Sequence, residues 1–258
     1  MLKSYLKVAW RSLLRNRTFS VISITGLAIG LGCFLLIALY VIDELSFDRY
    51  YDKAGNIYRI NADFRWGGQE LRVAQTSDMM GPILKKDYPE VQEYARLYRQ
   101  SGDKALIRKG NEYITETATA YVDSTFFNVF AFPAIEGDTR TALNDPHTVV
   151  ITASTAARYF GSTNRAIGKS LRVREGGKDV PYKVNAVIAD IRGNTHFHFD
   201  LFFTIKSLDY PWGQIGNGNF HTYLALKPGT DPKPFEKEFR WRRDNRPPDR
   251  GSCKEFQF

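Results

Sequence analysis

The sequence predicts an α+β fold: one N-terminal transmembrane helix followed by a mixed α+β extracytoplasmic domain with room for two lobes. Three observations carry this expectation. Residues 18–42 form a run of 25 residues without a charge, dense in Ile, Leu, Val, Gly and Phe. Beyond it, short stretches rich in Tyr, Thr, Val and Ile read as strands and mix with short helices. No repeat occurs, nor any regular succession of strand and long helix, which disfavours a doubly wound parallel sheet.

Residues 1–17 come first. Lys3, Lys7, Arg11 and Arg15 recur every fourth residue, while Leu2, Leu6, Ala9 and Leu13 take another face. Four-residue spacing stacks side chains on one side of a helix. The segment therefore reads as a cytoplasmic amphipathic basic helix, suited to anionic lipid headgroups. A membrane span needs about 20 apolar residues. Lipid offers backbone groups no water, so residues 18–42 are expected to be one transmembrane helix. Five cations precede the run, and Asp43, Glu44 and Asp48 follow it. By the positive-inside bias the N-terminus is cytoplasmic and everything after Ile42 is exported. A cleaved signal peptide has a shorter apolar core. Lipid attachment at Cys33 lacks the usual upstream Leu, since position 30 is Gly, and the apolar run continues past it. Gly26 and Gly30 form a small-xxx-small pair that permits close helix packing.

Residues 43–239 are expected to form the exported domain. Residues 57–64 and 70–75 read as strands around the turn residues Trp66-Gly67-Gly68. Residues 78–86 read as a helix closed by Tyr88-Pro89. Strands follow over 91–99, 104–108 and 113–122, then a short aromatic helix over 124–130. Residues 152–160 read as a helix with Gly161 as its C-cap. Residues 171–174 and 182–189 make a hairpin around Gly176-Gly177, and residues 197–205 and 220–226 close the domain as strands.

The charge distribution removes one class of function. The chain of 258 residues has a formal charge of +8, which invites a nucleic-acid reading. Residues 1–17 contribute five cations and no acid, and residues 240–258 contribute six cations against three acids. The 25 cations and 25 acids between them cancel, so the body is neutral and no nucleic-acid partner is expected.

Candidate chemistry is equally sparse. Gly168-Lys169-Ser170 resembles the end of a phosphate-binding loop, but position 163 is Thr where the loop needs Gly, and the segment leads into a strand. His196 and His198 alternate on a predicted strand with Asp200 continuing the same face, a pattern that could ligate a metal but lacks a further ligand. Cys33 lies within the membrane run, and Cys253 is the only other cysteine, so neither a disulfide framework nor a cysteine metal cluster is expected. No Gly-x-Ser-x-Gly elbow occurs. The expectation is a chain with no catalytic, cofactor-binding or metal-binding residues, and not an enzyme.

Several stretches resemble the MacB-like, or FtsX-like, permeases of ABC transporters. They are Tyr5-Leu6-Lys7-Val8-Ala9-Trp10-Arg11-Ser12-Leu13-Leu14-Arg15-Asn16-Arg17 and Ile24-Thr25-Gly26-Leu27-Ala28-Ile29-Gly30 at the membrane end. Further on are Phe47-Asp48-Arg49-Tyr50-Tyr51, Asn56-Ile57-Tyr58-Arg59-Ile60 and Asp123-Ser124-Thr125-Phe126-Phe127. Val149-Val150-Ile151-Thr152, Tyr159-Phe160-Gly161, Ile167-Gly168-Lys169-Ser170-Leu171 and His196-Phe197-His198-Phe199-Asp200 complete the set. The resemblance covers residues 1 to about 239 and is specific only as a group. It implies a permease subunit in the bacterial inner membrane, whose extracytoplasmic domain couples ATP hydrolysis on a partner subunit to export or mechanotransmission. The partners it implies are an ABC ATPase subunit, a second permease copy, the lipid bilayer and a periplasmic adaptor, with no cofactor on this chain. Such permeases carry three more membrane helices after the domain. Here residues 240–258 instead form a basic tail without apolar periodicity, expected to arise from a shifted reading frame or truncated gene. The alternative is a single-span anchored binding or sensor module, for which residues 1–17 leave no room for a cytoplasmic output domain.

Overall fold

The computed structural model describes residues 15–45, 54–66, 69–99, 104–191, 197–214 and 218–233, together with Tyr5, Lys7, Trp10, Arg11 and Thr195. It divides into two units, Met1–Asp48 and Arg49–Phe258. The first unit is built on one long helix, α1 (Arg17–Leu45). Of the expected basic helix over residues 1–17, Tyr5, Lys7, Trp10, Arg11 and Arg15 are helical and exposed, and most of the rest lies outside the described residues. So do the turn glycines Gly67 and Gly68, His196, and the whole tail over 240–258.

The second unit runs β1 (Ile57–Ile60), β2 (Ala62–Trp66), β3 (Gln69–Val73), α2 (Met80–Asp87), β4 (Val91–Tyr98), β5 (Ala105–Lys109), β6 (Glu112–Glu116) and β7 (Thr119–Val122). It continues through α3 (Phe126–Val129), β8 (Ala134–Gly137), β9 (Thr148–Thr152), α4 (Ala153–Phe160), β10 (Ser170–Glu175), β11 (Lys178–Ile188), β12 (Leu201–Thr204) and β13 (Phe220–Leu226). Among the described residues, 11 strands join one sheet in the order β1-β13-β4-β7-β12-β9-β11-β10-β5-β6, with β8 on the edge of β11. β2 and β3 form a separate two-stranded ribbon. β9 with β11 and β7 with β12 are parallel, and the other pairs are antiparallel, so the sheet is mixed and the fold is α+β. Among the described residues these 11 strands form one continuous hydrogen-bonded sheet.

The sheet forms where β-branched and aromatic residues alternate or run together. β9 reads Thr-Val-Val-Ile-Thr and is buried at every position, the pattern of a central strand covered on both faces. Side chains split accordingly. Val150, Phe202, Ala186 and Ile188 enter one core with Phe126, Phe127, Phe130, Phe132 and Phe197. Val149, Ile151, Leu201, Phe203, Val184 and Val187 enter another with Ala156 of α4. One face is thus covered by α3 and its Phe-rich flanks, and the other by α4. Phe126 is fully buried, with ring centroids 4.9–6.1 Å from Phe127, Phe130, Phe132, Phe197 and Phe202. Burying an aromatic this completely contributes several kcal/mol, about 3–5 if truncated to Ala.

Helix ends and turns follow their local chemistry. Gly161 takes the left-handed conformation, φ 83°, and donates its N–H to Ala157 O, ending α4 as expected. The β10–β11 hairpin closes through Gly176 and Gly177, φ 52° and 84°, between the paired Glu175 and Lys178. Two positive φ values suit a two-residue turn matching strand twist. Gly81 in α2 is required for contact: a Cβ there would lie 2.5 Å from Cδ2 of Tyr94.

The structure corrects four expectations. The predicted strand over 57–64 is two strands, parted at Asn61, one in the main sheet and one in the ribbon. The strand over 113–122 also divides, around Thr117-Ala118, because β6 pairs with β5 at one end of the sheet while β7 lies inside it between β4 and β12. β8 and β9 are strands the periodicity does not predict. The strand expected over 197–205 begins only at Leu201 and gives way to a 3-10 turn at Ile205–Ser207.

Candidate functional site

Two features stand out: an unburied apolar helix and a set of closed polar networks. In α1 the segment Arg17–Asp43 has a mean hydropathy of 2.4 and none of its most apolar stretch is buried. Its 27 residues extend about 40 Å at ~1.5 Å per residue, beyond the ~30 Å hydrocarbon thickness. Phe19, Val21, Leu27, Ile29 and Ile42 are all more than 60% exposed and point in every direction, as a lipid-facing helix requires. Gly26 and Gly30 share a face, and a Cβ at either would meet nothing within 4 Å. Cys33 is exposed on the same helix.

In the second unit the most deeply built polar site centres on Arg96 of β4. Asp123, just past β7, accepts from the backbone N–H of Arg96 at 2.8 Å, from Nε at 2.9 Å and from Nη2 at 2.8 Å. Nη1 donates to the carbonyl of Asp78. The rings of Tyr94, Trp212 and Phe220 surround the guanidinium with centroids 5.6, 5.4 and 5.7 Å from Cζ. Burial works against the Arg96 charge, but Asp123 and, more weakly, Tyr94 and Asp78 outweigh it and hold the group above its usual range. The Asp78 carboxylate in turn accepts the backbone N–H groups of Gly213 at 2.6 Å and Gln214 at 3.0 Å. One arginine and two carboxylates, Asp78 and Asp123, therefore fasten the segment before α2, β4, the end of β7 and the loop around Trp212.

A second network seats α4. Tyr159 donates its hydroxyl to the buried Glu116 at 2.7 Å, and Arg158 Nη2 lies 3.4 Å from the same oxygen. Burial first, then the bond to Glu116, raises the Tyr159 hydroxyl well above the usual phenol range. Asp190 accepts the backbone N–H of Ser154 at 2.9 Å, supplying an acid at the start of α4.

The sequence candidates fall outside these networks or at their margins. Gly168 has φ 77° and donates its N–H to Val184 O, and Ser170 begins β10, so Gly168-Lys169-Ser170 leads into a strand where a phosphate loop needs a helix. His198 is exposed between buried Phe197 and Phe199, but in irregular chain and not on a strand. Asp200 accepts from Thr152 Oγ1 at 3.4 Å and lies 4.0 Å from Arg158. No group of three His, Cys, Asp or Glu suited to a metal occurs among the described residues. The Arg96 site escaped sequence reasoning because its partners lie 18 and 27 residues away, and no local motif marks them.

These networks satisfy their polar groups within the chain and tie neighbouring strands and loops of the second unit together. The MacB-like periplasmic core domain matches residues 20–240. Among solved structures, a domain of a protein assigned as a permease from Porphyromonas gingivalis is 25% identical, with a TM-score of 0.61 over 75% of this chain and 84% of that one. The periplasmic region of MacB from Actinobacillus actinomycetemcomitans is 15% identical, with a TM-score of 0.51 over 72% of this chain and 81% of that one, a likeness of fold. No curated protein sequence matches. With an apolar helix and a mixed-sheet domain inside one match, the chain belongs to the MacB-like periplasmic core domain family, found in ABC-type permeases.

Proposed function

We propose that the chain is a permease subunit of an ABC-type export or mechanotransmission complex, its extracytoplasmic domain coupling ATP hydrolysis by a partner subunit to substrate movement. The observation that carries this reading is the single family match over residues 20–240, which takes in most of α1 and the whole sheet domain. Polar networks closed within the sheet domain, around Arg96 and around Glu116, suit transmission of movement better than chemistry at a site. In this reading residues 1–17 are the cytoplasmic basic helix, 18–42 the span, 43–239 the periplasmic domain and 240–258 an atypical tail. The five cations before the span and the acids after it support a cytoplasmic N-terminus in the inner membrane. ATP hydrolysis then falls to a separate ATPase subunit, joined by a second permease copy and a periplasmic adaptor. Affinity capture of the full chain from its native host's membranes, solubilised gently, tests this. Recovery of an ATPase subunit with its own phosphate-binding loop is expected. A capture that retains intact chain but no ATPase overturns the proposal.

A further inference from the structure

The end of the sheet farthest from β1 presents an open, basic face. β10 turns Leu171 and Val173 into the core and leaves Ser170, Arg172 and Arg174 exposed on the other side. Register extends this face across the neighbours. Arg108 of β5 lies opposite Arg172, Tyr113 of β6 opposite Arg108, and Asp179 and Lys183 of β11 opposite Arg174 and Ser170. Leu106 and Tyr113 are exposed on it by 39% and 41%. The face therefore gathers four cations, Arg108, Arg172, Arg174 and Lys183, against one carboxylate, Asp179. The surrounding body is neutral, so this is a local concentration of charge.

Arg172 directly opposite Arg108 is a like-charge cross-strand pair, which destabilises a sheet. Asp179 relieves only part of it: Arg108 Nη1 reaches Asp179 Oδ2 at 3.2 Å and Arg174 Nη1 reaches Oδ1 at 3.4 Å, with the Tyr113 hydroxyl donating to Oδ1 at 2.7 Å. The side chains of Arg172 and Lys183 have no hydrogen-bond or ion-pair partner among the described residues. Asp179 also shows how the face receives a carboxylate, with two guanidinium groups and a phenol converging on it.

We propose that this face binds an acidic polypeptide segment of a partner protein, whose carboxylates meet Arg172 and Lys183 while its apolar groups rest on Leu106 and Tyr113. One observation favours a polypeptide over a lipid surface. Among the described residues β6 ends the sheet, so its outer edge offers main-chain groups that another polypeptide pairs in ladder form. The proposal stands independently of the transport reading.

The test uses the full chain in phosphatidylcholine nanodiscs and a labelled short polyglutamate peptide, followed by fluorescence anisotropy. Binding that weakens with salt is expected, and Arg172→Glu with Lys183→Glu should weaken it about tenfold. Lys227→Glu, on an exposed cation after β13, should leave it unchanged. Because Arg172→Glu removes the like-charge pair, it should also raise the Tm by about 1–3 °C. Absence of binding at low salt, equal loss with Lys227→Glu, or a fall in Tm overturns the proposal. So does Arg172-dependent sedimentation with phosphatidylglycerol vesicles when the peptide does not bind, which would assign the face to lipid headgroups.

Discussion

Two arginine–aspartate sites in the same sheet show how burial sets the weight of an ion pair. Arg96 and Asp123 leave only 11% and 10% of their side chains exposed, and aromatic rings enclose the guanidinium. At the far end of the sheet, Arg108 and Arg174 share Asp179 with 42% and 43% of their side chains in solvent. The first pair is a fastening, because either partner alone would be a buried charge without compensation. The second is a surface contact that water and salt can replace at little cost. Similar chemistry serves internal rigidity at one end and leaves cations available at the other.

The largest effect should come from Asp123→Ala, which strands Arg96 in the core. A loss of about 3–5 kcal/mol is expected, read as a fall of roughly 10 °C in the Tm of the sheet signal by circular dichroism. Asp78→Ala comes next. It frees the amides of Gly213 and Gln214, at a cost of about 1–3 kcal/mol, and hydrogen exchange should rise at those two amides before it rises in β4. Replacing the pair together, Arg96→Met with Asp123→Leu, should recover at least half of the stability lost in Asp123→Ala. That result would attribute the loss to an unpaired charge and not to the missing attraction; no recovery would reverse the assignment.

Asp179→Asn should have the smallest effect, a Tm change under about 2 °C that shrinks further in high salt. The Tyr113 hydroxyl, followed by Arg108 and Arg174, holds the Asp179 carboxyl below its usual range. Its contribution is therefore present at neutral pH and is lost only as pH falls below about 4, through the lowered folded-state value. A pH titration of Tm that loses the Asp179-dependent difference nearer neutrality would contradict this.

Much of the fold was legible because its signals are local. The uncharged run gives α1, and residues 220–226 read as a strand and are β13. β9 was missed for a physical reason: a strand covered on both faces has no polar side, so Thr-Val-Val-Ile-Thr carries no period of two. Phe197, His198 and Phe199 alternate buried, exposed and buried without a strand beneath them, which misplaced His198. The Arg96 site was illegible because topology, not spacing, brings Asp78, Asp123 and Trp212 to one guanidinium. The basic face was hidden in the same way, since Arg108 and Arg172 meet only through register.

The pairing of β1 with β13 has a mechanical consequence. Ile57 lies opposite Ala225 and Ile60 opposite Thr222, so the chain enters and leaves the sheet at the same end, one strand apart. Drawing those two points apart loads the β1–β13 ladder one hydrogen bond at a time, like opening a zipper, and needs little force. Moving them together loads no bond between them and carries the 11-stranded sheet as one piece. The domain is thus stiff toward a common displacement of its two ends and yielding toward their separation.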